Sequence, residues 1–417
     1  MKVIKSYPLG DGRLQSIDAL RGIAALGVVF YHAVWQSTNA VPANIFRWPV
    51  KSLQFLSSFG YIGVFLFFVI SGFCIHLQWA KKRANGRVTS IEFGTFWRRR
   101  FRRLYPPYLI AFGLFMLMAA LSTGINVTHF FVYDVVMHLL MLHNLDPHTC
   151  YSINGVFWTL AIEEQLYLAY FLLLFLRQRL GWGPTLLICA AARVGWFMFG
   201  HAVWVVTGVG IPVPEGAASH WFTWALGAIA VEAAFGLVKL PKWCFNLWLG
   251  AAAILFASAT SMILPLTNKD TLPHTIAWLL MHPVWGFGFF VLVNRGVQAE
   301  QSWASKRRQG KKTARSFNFN KLVPRLVGAT AFIGVFSYSL YLTHELVIMQ
   351  SYSFINHKWP PVVNTLLIVV PATVAFAWVF YLFCEKPYMG KPAGKAAGII
   401  QEAEFRSQNS ELPASLL

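Results

Sequence analysis

Hydrophobic and polar positions along this chain do not alternate at a period of two. They run in long apolar blocks separated by short polar segments. Blocks long enough to cross a bilayer as helices lie near residues 17–36, 57–79, 105–122, 158–176, 184–207, 219–238, 243–264, 272–293, 327–350 and 361–384. The pattern predicts an all-α polytopic membrane protein of about ten transmembrane helices. A single transmembrane domain over residues 1–390 and a flexible tail over 391–417 are expected. The stretch 129–142 is apolar but short for a span, and reads as a re-entrant or interfacial segment within an outer loop 123–157. No internal repeat stands out.

Charge then orients the spans. Lys and Arg crowd the segments 80–104 and 294–326, whereas the alternate segments hold only Arg47, Lys51, Lys269 and Lys358. Basic residues stay on the cytoplasmic side, so both termini and the two basic loops are predicted to be cytoplasmic. The 417 residues are 56% hydrophobic and 12% charged, about half the charge of a soluble protein of this size. The net charge of +19 does not argue for nucleic acid, because its basic residues sit between apolar spans and not on one soluble face. The first span keeps polar groups and is followed by no small-residue cleavage site, so it reads as a retained helix. Of the five cysteines only Cys150 is predicted outside, and no metal-ligand spacing occurs.

The first span carries Asp18, Arg21 and His32, groups that hydrocarbon penalises. Eleven helical steps separate Arg21 from His32, about three turns and roughly 16 Å of rise, so both fall on one face. Asp18 is placed to pair with Arg21. A buried neutral imidazole at His32 suits a general base, although a histidine simply bonded to a neighbouring helix reads equally well from sequence. Arg100 and Arg103 in F-W-R-R-R-F-R-R-L-Y-P-P-Y share a face and could clasp a pyrophosphate. Basic residues at that surface also set topology and hold anionic lipid, and charge alone does not separate the readings. Pro106 and Pro107 suit a helix start.

Glu163, with Tyr167 on its face, is an acid inside the fourth span; near the outer half of the membrane it could orient His32 or the substrate. Gly60 and Gly63, followed by Ser71-Gly72, are small residues suited to seating the first span against the second. Tyr341 and His344 lie in the ninth span. Glu385 at the end of the tenth reads as structural, and Arg193 in the fifth needs a partner or water.

These motifs together resemble the acyltransferase-3 family of integral-membrane acyltransferases, over Ser16 to about Tyr388. The resemblance rests on Arg21 with His32, on Arg100, Arg103 and Pro106, on Phe67 to Phe73, on Trp158 to Glu163, and on Ser337 to His344. It implies transfer of an acyl group, commonly acetyl, from cytoplasmic acyl-CoA to a hydroxyl of a cell-surface or lipid-linked saccharide. Under it His32 and Glu163 are catalytic, Arg21, Arg100 and Arg103 bind the donor, and Asp18, Ser71, Trp158, Tyr167, Tyr341 and His344 support them. No permanently bound cofactor and no metal are implied; acetyl-CoA is a co-substrate. Expected partners are acyl-CoA, a saccharide or glycolipid acceptor and membrane lipid, without nucleic acid, in a bacterial cytoplasmic membrane. Some family members append an extracytoplasmic hydrolase-like domain, and the short tail here reads as the standalone form. The competing reading is a transporter or flippase for an anionic or sugar-linked substrate, since buried Arg, His and Glu also suit a proton relay.

Overall fold

The computed structural model describes residues 14–39, 47–87, 91–123, 128–269, 271–309, 319–354 and 361–389. The expected tail 391–417 and the 310–318 part of the second basic loop lie outside these residues. Among the described residues the chain is helical, with no strand. The helices are α1 (Gln15–Asn39), α2 (Arg47–Ser58), α3 (Gly63–Ala84), α4 (Phe93–Thr123) and α5 (His129–Leu139). They are followed by α6 (Trp158–Leu180), α7 (Trp182–Thr207), α8 (Ala217–Ala234), α9 (Leu247–Ile263) and α10 (Leu272–Arg308). The chain closes with α11 (Phe319–Val335), α12 (Ser337–Phe354), α13 (Pro361–Asn364) and α14 (Val370–Phe380), the last flanked by π-helical turns.

Each of the ten apolar blocks is helical. Among the described residues, eight helical stretches are long and apolar enough to cross a membrane, and α11 with α12, bent by 75°, makes a ninth span if counted as one. The block near 219–238 is α8. His220, Thr223 and Glu232 sit on it, and all three are buried against neighbouring helices. The protein is therefore a multi-pass membrane protein.

Close backbone approaches set the position of α1. A Cβ on Gly63 would stand 2.7 Å from the Ala24 carbonyl oxygen, and Gly60 meets Gly27 in the same way, which seats α1 on α3 as the sequence suggested. On its other side α1 packs on α11, where Gly334 rests directly on the Asp18 carbonyl. The bend at Phe336 follows one residue pair after that contact, and Ser337 Oγ donates to the freed Gly334 carbonyl at 3.1 Å. The Ser71-Gly72 step faces α8, with Trp224 Nε1 donating to Ser71 Oγ at 3.2 Å.

One boundary differs from expectation. Helix α4 begins at Phe93, so Pro106 and Pro107 lie in its interior and not at its start. The arginine-rich segment before them is good helix-forming sequence and extends the span outward. The prolines donate nothing to the carbonyls of Arg102 and Arg103. Arg193 is satisfied by the carbonyls of Ser219, Trp278 and Leu279 at 2.8–2.9 Å, by His282 at 3.1 Å, and by the Trp278 ring.

Candidate active site

Two polar clusters lie along α1. The first surrounds a cavity of about 360 Å³ lined by Arg21, Ser71, Arg100, Arg103, Glu163, Tyr167, Tyr341 and Glu385, among others. The spacing on α1 and α4 places all three arginines on its wall. Arg21 Nη2 donates to Cys74 Sγ at 3.4 Å. Glu163 lies beside Ser71 and Tyr167 on the cavity wall and is close enough to Arg21 and Arg100 for their charges to act on it. Arg103 is likewise balanced by Glu385, which accepts from Ser339 N at 3.2 Å and Ser339 Oγ at 2.5 Å. The Arg100 guanidinium lies over the rings of Phe96 and Tyr167 at 5.7 and 5.9 Å. Three arginines against two carboxylates give the cavity an anion-binding character.

Arg100, with Ile75 and Gln78, also lines a second cavity of about 320 Å³ beside the first, where Trp79, Lys82, Phe96 and Arg99 add aromatic and cationic surface. Asp18 is buried on α1 and its charge acts on Arg21.

The second cluster forms around His32. His344 Nδ1 lies 2.7 Å from the Tyr341 carbonyl, which can only accept, so that nitrogen carries the proton. In the neutral ring, His344 Nε2 is then an acceptor, and it lies 3.0 Å from His32 Nδ1. His32 Nδ1 therefore donates. The tautomer that follows leaves the lone pair of His32 on Nε2. That nitrogen faces Glu345 Oε1 at 3.7 Å, with both side chains about one-fifth exposed. Gly155 N–H, just before α6, donates to the other Glu345 oxygen at 3.0 Å.

Tyr341 joins the clusters. Its hydroxyl lines the cavity and accepts from Thr159 Oγ1 at 2.9 Å, while its ring lies 5.5 Å from that of His344. Arg21 and His32 thus mark two ends of α1, with Tyr341 between their surroundings.

One expectation is corrected. Glu163 does not orient His32: it belongs to the arginine cavity, and the carboxylate facing His32 is Glu345. Trp158 does not line the cavity; it packs near His220 of α8, at 6.4 Å between rings. Glu385, read as structural, lines the cavity as well as capping Ser339. Glu345 escaped the sequence reading because it adjoins His344, and neighbours on a helix point about 100° apart. Its position inside an apolar span was the available signal.

Comparison with known proteins places the chain in a family. The peptidoglycan O-acetyltransferase OatA of Listeria monocytogenes is 31% identical over 209 residues, 46% of this chain and 28% of that protein. A putative O-acetyltransferase of Staphylococcus aureus strain COL is 25% identical over 405 residues, 90% of this chain and 57% of that protein. A putative acetyltransferase of Acidianus two-tailed virus is 31% identical over 172 residues, 40% of this chain and 44% of its own length. The chain thus spans less than two thirds of each of these relatives. No solved structure matches it. The family described as "Acyltransferase domain" matches residues 14–382, nearly the whole chain, and the chain belongs to that family, acyltransferase-3.

Proposed function

We propose that this single-domain membrane protein transfers an acyl group, acetyl foremost, from cytoplasmic acyl-CoA to a hydroxyl of a cell-surface or lipid-linked saccharide, in a bacterial cytoplasmic membrane. The observation that carries the reading is the set tautomer of His32, whose Nε2 lone pair is held ready at the opposite end of α1 from an arginine-lined cavity. The basic loops support a cytoplasmic opening for that cavity, on the side where acyl-CoA resides. Arg21, Arg100 and Arg103 receive the donor's phosphates, and the second cavity, with Trp79 and Phe96, takes its nucleotide end. Glu163 and Glu385 hold these arginines in place before the donor arrives. The pantetheine arm runs past Tyr341 towards His32.

His32 Nε2 takes the proton of the acceptor hydroxyl as its oxygen attacks the thioester carbon. The C–S bond breaks, and the proton passes from the imidazolium to the departing thiolate. Acid–base catalysis of this kind contributes about 100- to 10,000-fold. Glu345 supplies a counter-charge while the ring is cationic, and His344 holds the ring's other nitrogen. A two-step route, in which His32 itself carries the acyl group, uses the same lone pair.

Thermal unfolding of the detergent-purified protein with acetyl-CoA tests the donor side. Stabilisation is expected in the wild type and should be absent from the Arg100→Ala/Arg103→Ala protein. No shift at saturating acetyl-CoA in the wild type would remove acyl-CoA as donor and favour transport.

A further inference from the structure

His32, His344 and Glu345 present two imidazole nitrogens and a carboxylate oxygen within 4.8 Å of one another, although His32 and His344 are 312 residues apart in the sequence. From this geometry we infer that the three side chains form a binding site for a borderline transition-metal cation, Zn2+ above all, whose occupancy silences the His32 base.

The His344 ligand is already aimed. His344 gives its Nδ1 proton to the Tyr341 carbonyl at 2.7 Å, which leaves Nε2 as the donor atom. This is the outer bond that histidine ligands of metals usually make. Glu345 has one oxygen tied to the Gly155 N–H at 3.0 Å and the other turned towards His32. Two histidines and one carboxylate match three-ligand zinc sites, in which a fourth position stays open. Imidazole nitrogens select against Mg2+ and Ca2+, which take oxygen ligands.

The fit needs side-chain movement alone. Bonds of about 2.0–2.1 Å at a tetrahedral angle separate two nitrogens by roughly 3.3 Å. His32 Nδ1 and His344 Nε2 stand 3.0 Å apart, close to that separation, and the rings swing from their mutual hydrogen bond so that both nitrogens face the cation. Glu345 closes the remaining gap by turning its side chain. His32 and Glu345 are each about one-fifth exposed, which leaves an approach to the site.

Metal binding changes the proton balance of His32. The Nδ1 proton is displaced by the cation, and the neutral ring then carries its proton on Nε2, acquired from solvent as the first is released. The lone pair that serves as base in the proposed function is thereby consumed. The inhibitory effect rests on that function; the binding site does not.

The experiment titrates Co2+, as a spectroscopic stand-in for Zn2+, into the chelator-treated, detergent-purified full chain. One equivalent should bind with the intense visible absorption of low-symmetry four-coordinate Co2+, and Zn2+ should displace it. Glu345→Gln and His344→Gln should each weaken binding at least tenfold; Glu345→Gln is nearly isosteric and guards against a folding defect at the fully buried His344. Absence of stoichiometric binding, or binding unchanged in both variants, overturns the inference. Acyl transfer by the chelated protein is read separately. Transfer without metal binding ends this inference alone, whereas metal binding without transfer supports it and ends the proposed function.

Discussion

His344 Nε2 lies 3.0 Å from His32 Nδ1, and the Tyr341 carbonyl on the far side of the His344 ring fixes which of the two donates. Removing that acceptor frees His32 to adopt the other tautomer, with its base nitrogen turned into a donor. A hydrogen bond of this kind is worth about 1–3 kcal/mol when its partner is left buried, which corresponds to a fall in kcat of about 5- to 160-fold. His344→Ala should show that fall with little change in KM for acetyl-CoA. His344→Gln, whose carboxamide oxygen can still accept, should recover part of it. Equal activity in the alanine variant and the wild type would remove His344 from the account.

Seating of α1 on α3 depends on the absence of a side chain at Gly63, where a Cβ would come within 2.7 Å of the Ala24 carbonyl. Overpacking of such a contact costs about 1–3 kcal/mol. Gly63→Val should lower the unfolding temperature in detergent, and by tilting α1 should also reduce turnover. Gly113 of α4 has open space around it, so Gly113→Ala should be neutral or mildly stabilising in the same assay.

A buried network away from the cavity ties four helices together. Glu232 accepts from Arg177 Nε and Nη2 at 2.7 Å, from Trp182 Nε1 at 2.9 Å, and pairs with His76 Nε2 at 2.9 Å. Arg177→Ala leaves a fully buried carboxylate short of its main cation, a loss of about 3–5 kcal/mol for pairs of this kind. Glu232→Gln with Arg177→Met should be less damaging than Arg177→Ala alone. The comparison is made by thermal unfolding.

Outside the spans, Glu215 is half-buried beside Tyr151, whose hydroxyl donates to it. Burial holds the Glu215 carboxyl above its ordinary range, although the Tyr151 bond partly offsets this. A carboxyl that binds its proton more tightly when folded adds stability below its unfolded pKa. That contribution is lost as pH rises through the folded value. Glu215→Gln should therefore unfold at a higher temperature than the wild type at neutral pH, with the difference shrinking as the pH falls through the carboxylate range. A difference independent of pH would mean that Glu215 acts only through its hydrogen bonds.

What the sequence revealed follows from which interactions are local. The apolar blocks, the shared face of Arg21 and His32, and the small residues at Gly60 and Gly63 all depend on helical spacing within one segment, and all are found as expected. The contact between Glu345 and His32, the Glu232 network and the bend at Phe336 depend on partners hundreds of residues away or on a carbonyl of another helix. Periodicity carries no trace of such partners. Glu163 was assigned to the wrong neighbour for the same reason: its depth could be read, but not which face of α6 met which helix.

The central claim is that His32 is the base of an acyl transfer. The most direct measurement follows radiolabelled acetyl groups from acetyl-CoA into saccharide and glycolipid in membranes holding equal amounts of wild-type or His32→Ala protein. The account requires label transfer by the wild type and a loss of about 100-fold or more in the variant, with insertion and unfolding temperature preserved. Transfer by His32→Ala at the wild-type rate would contradict it.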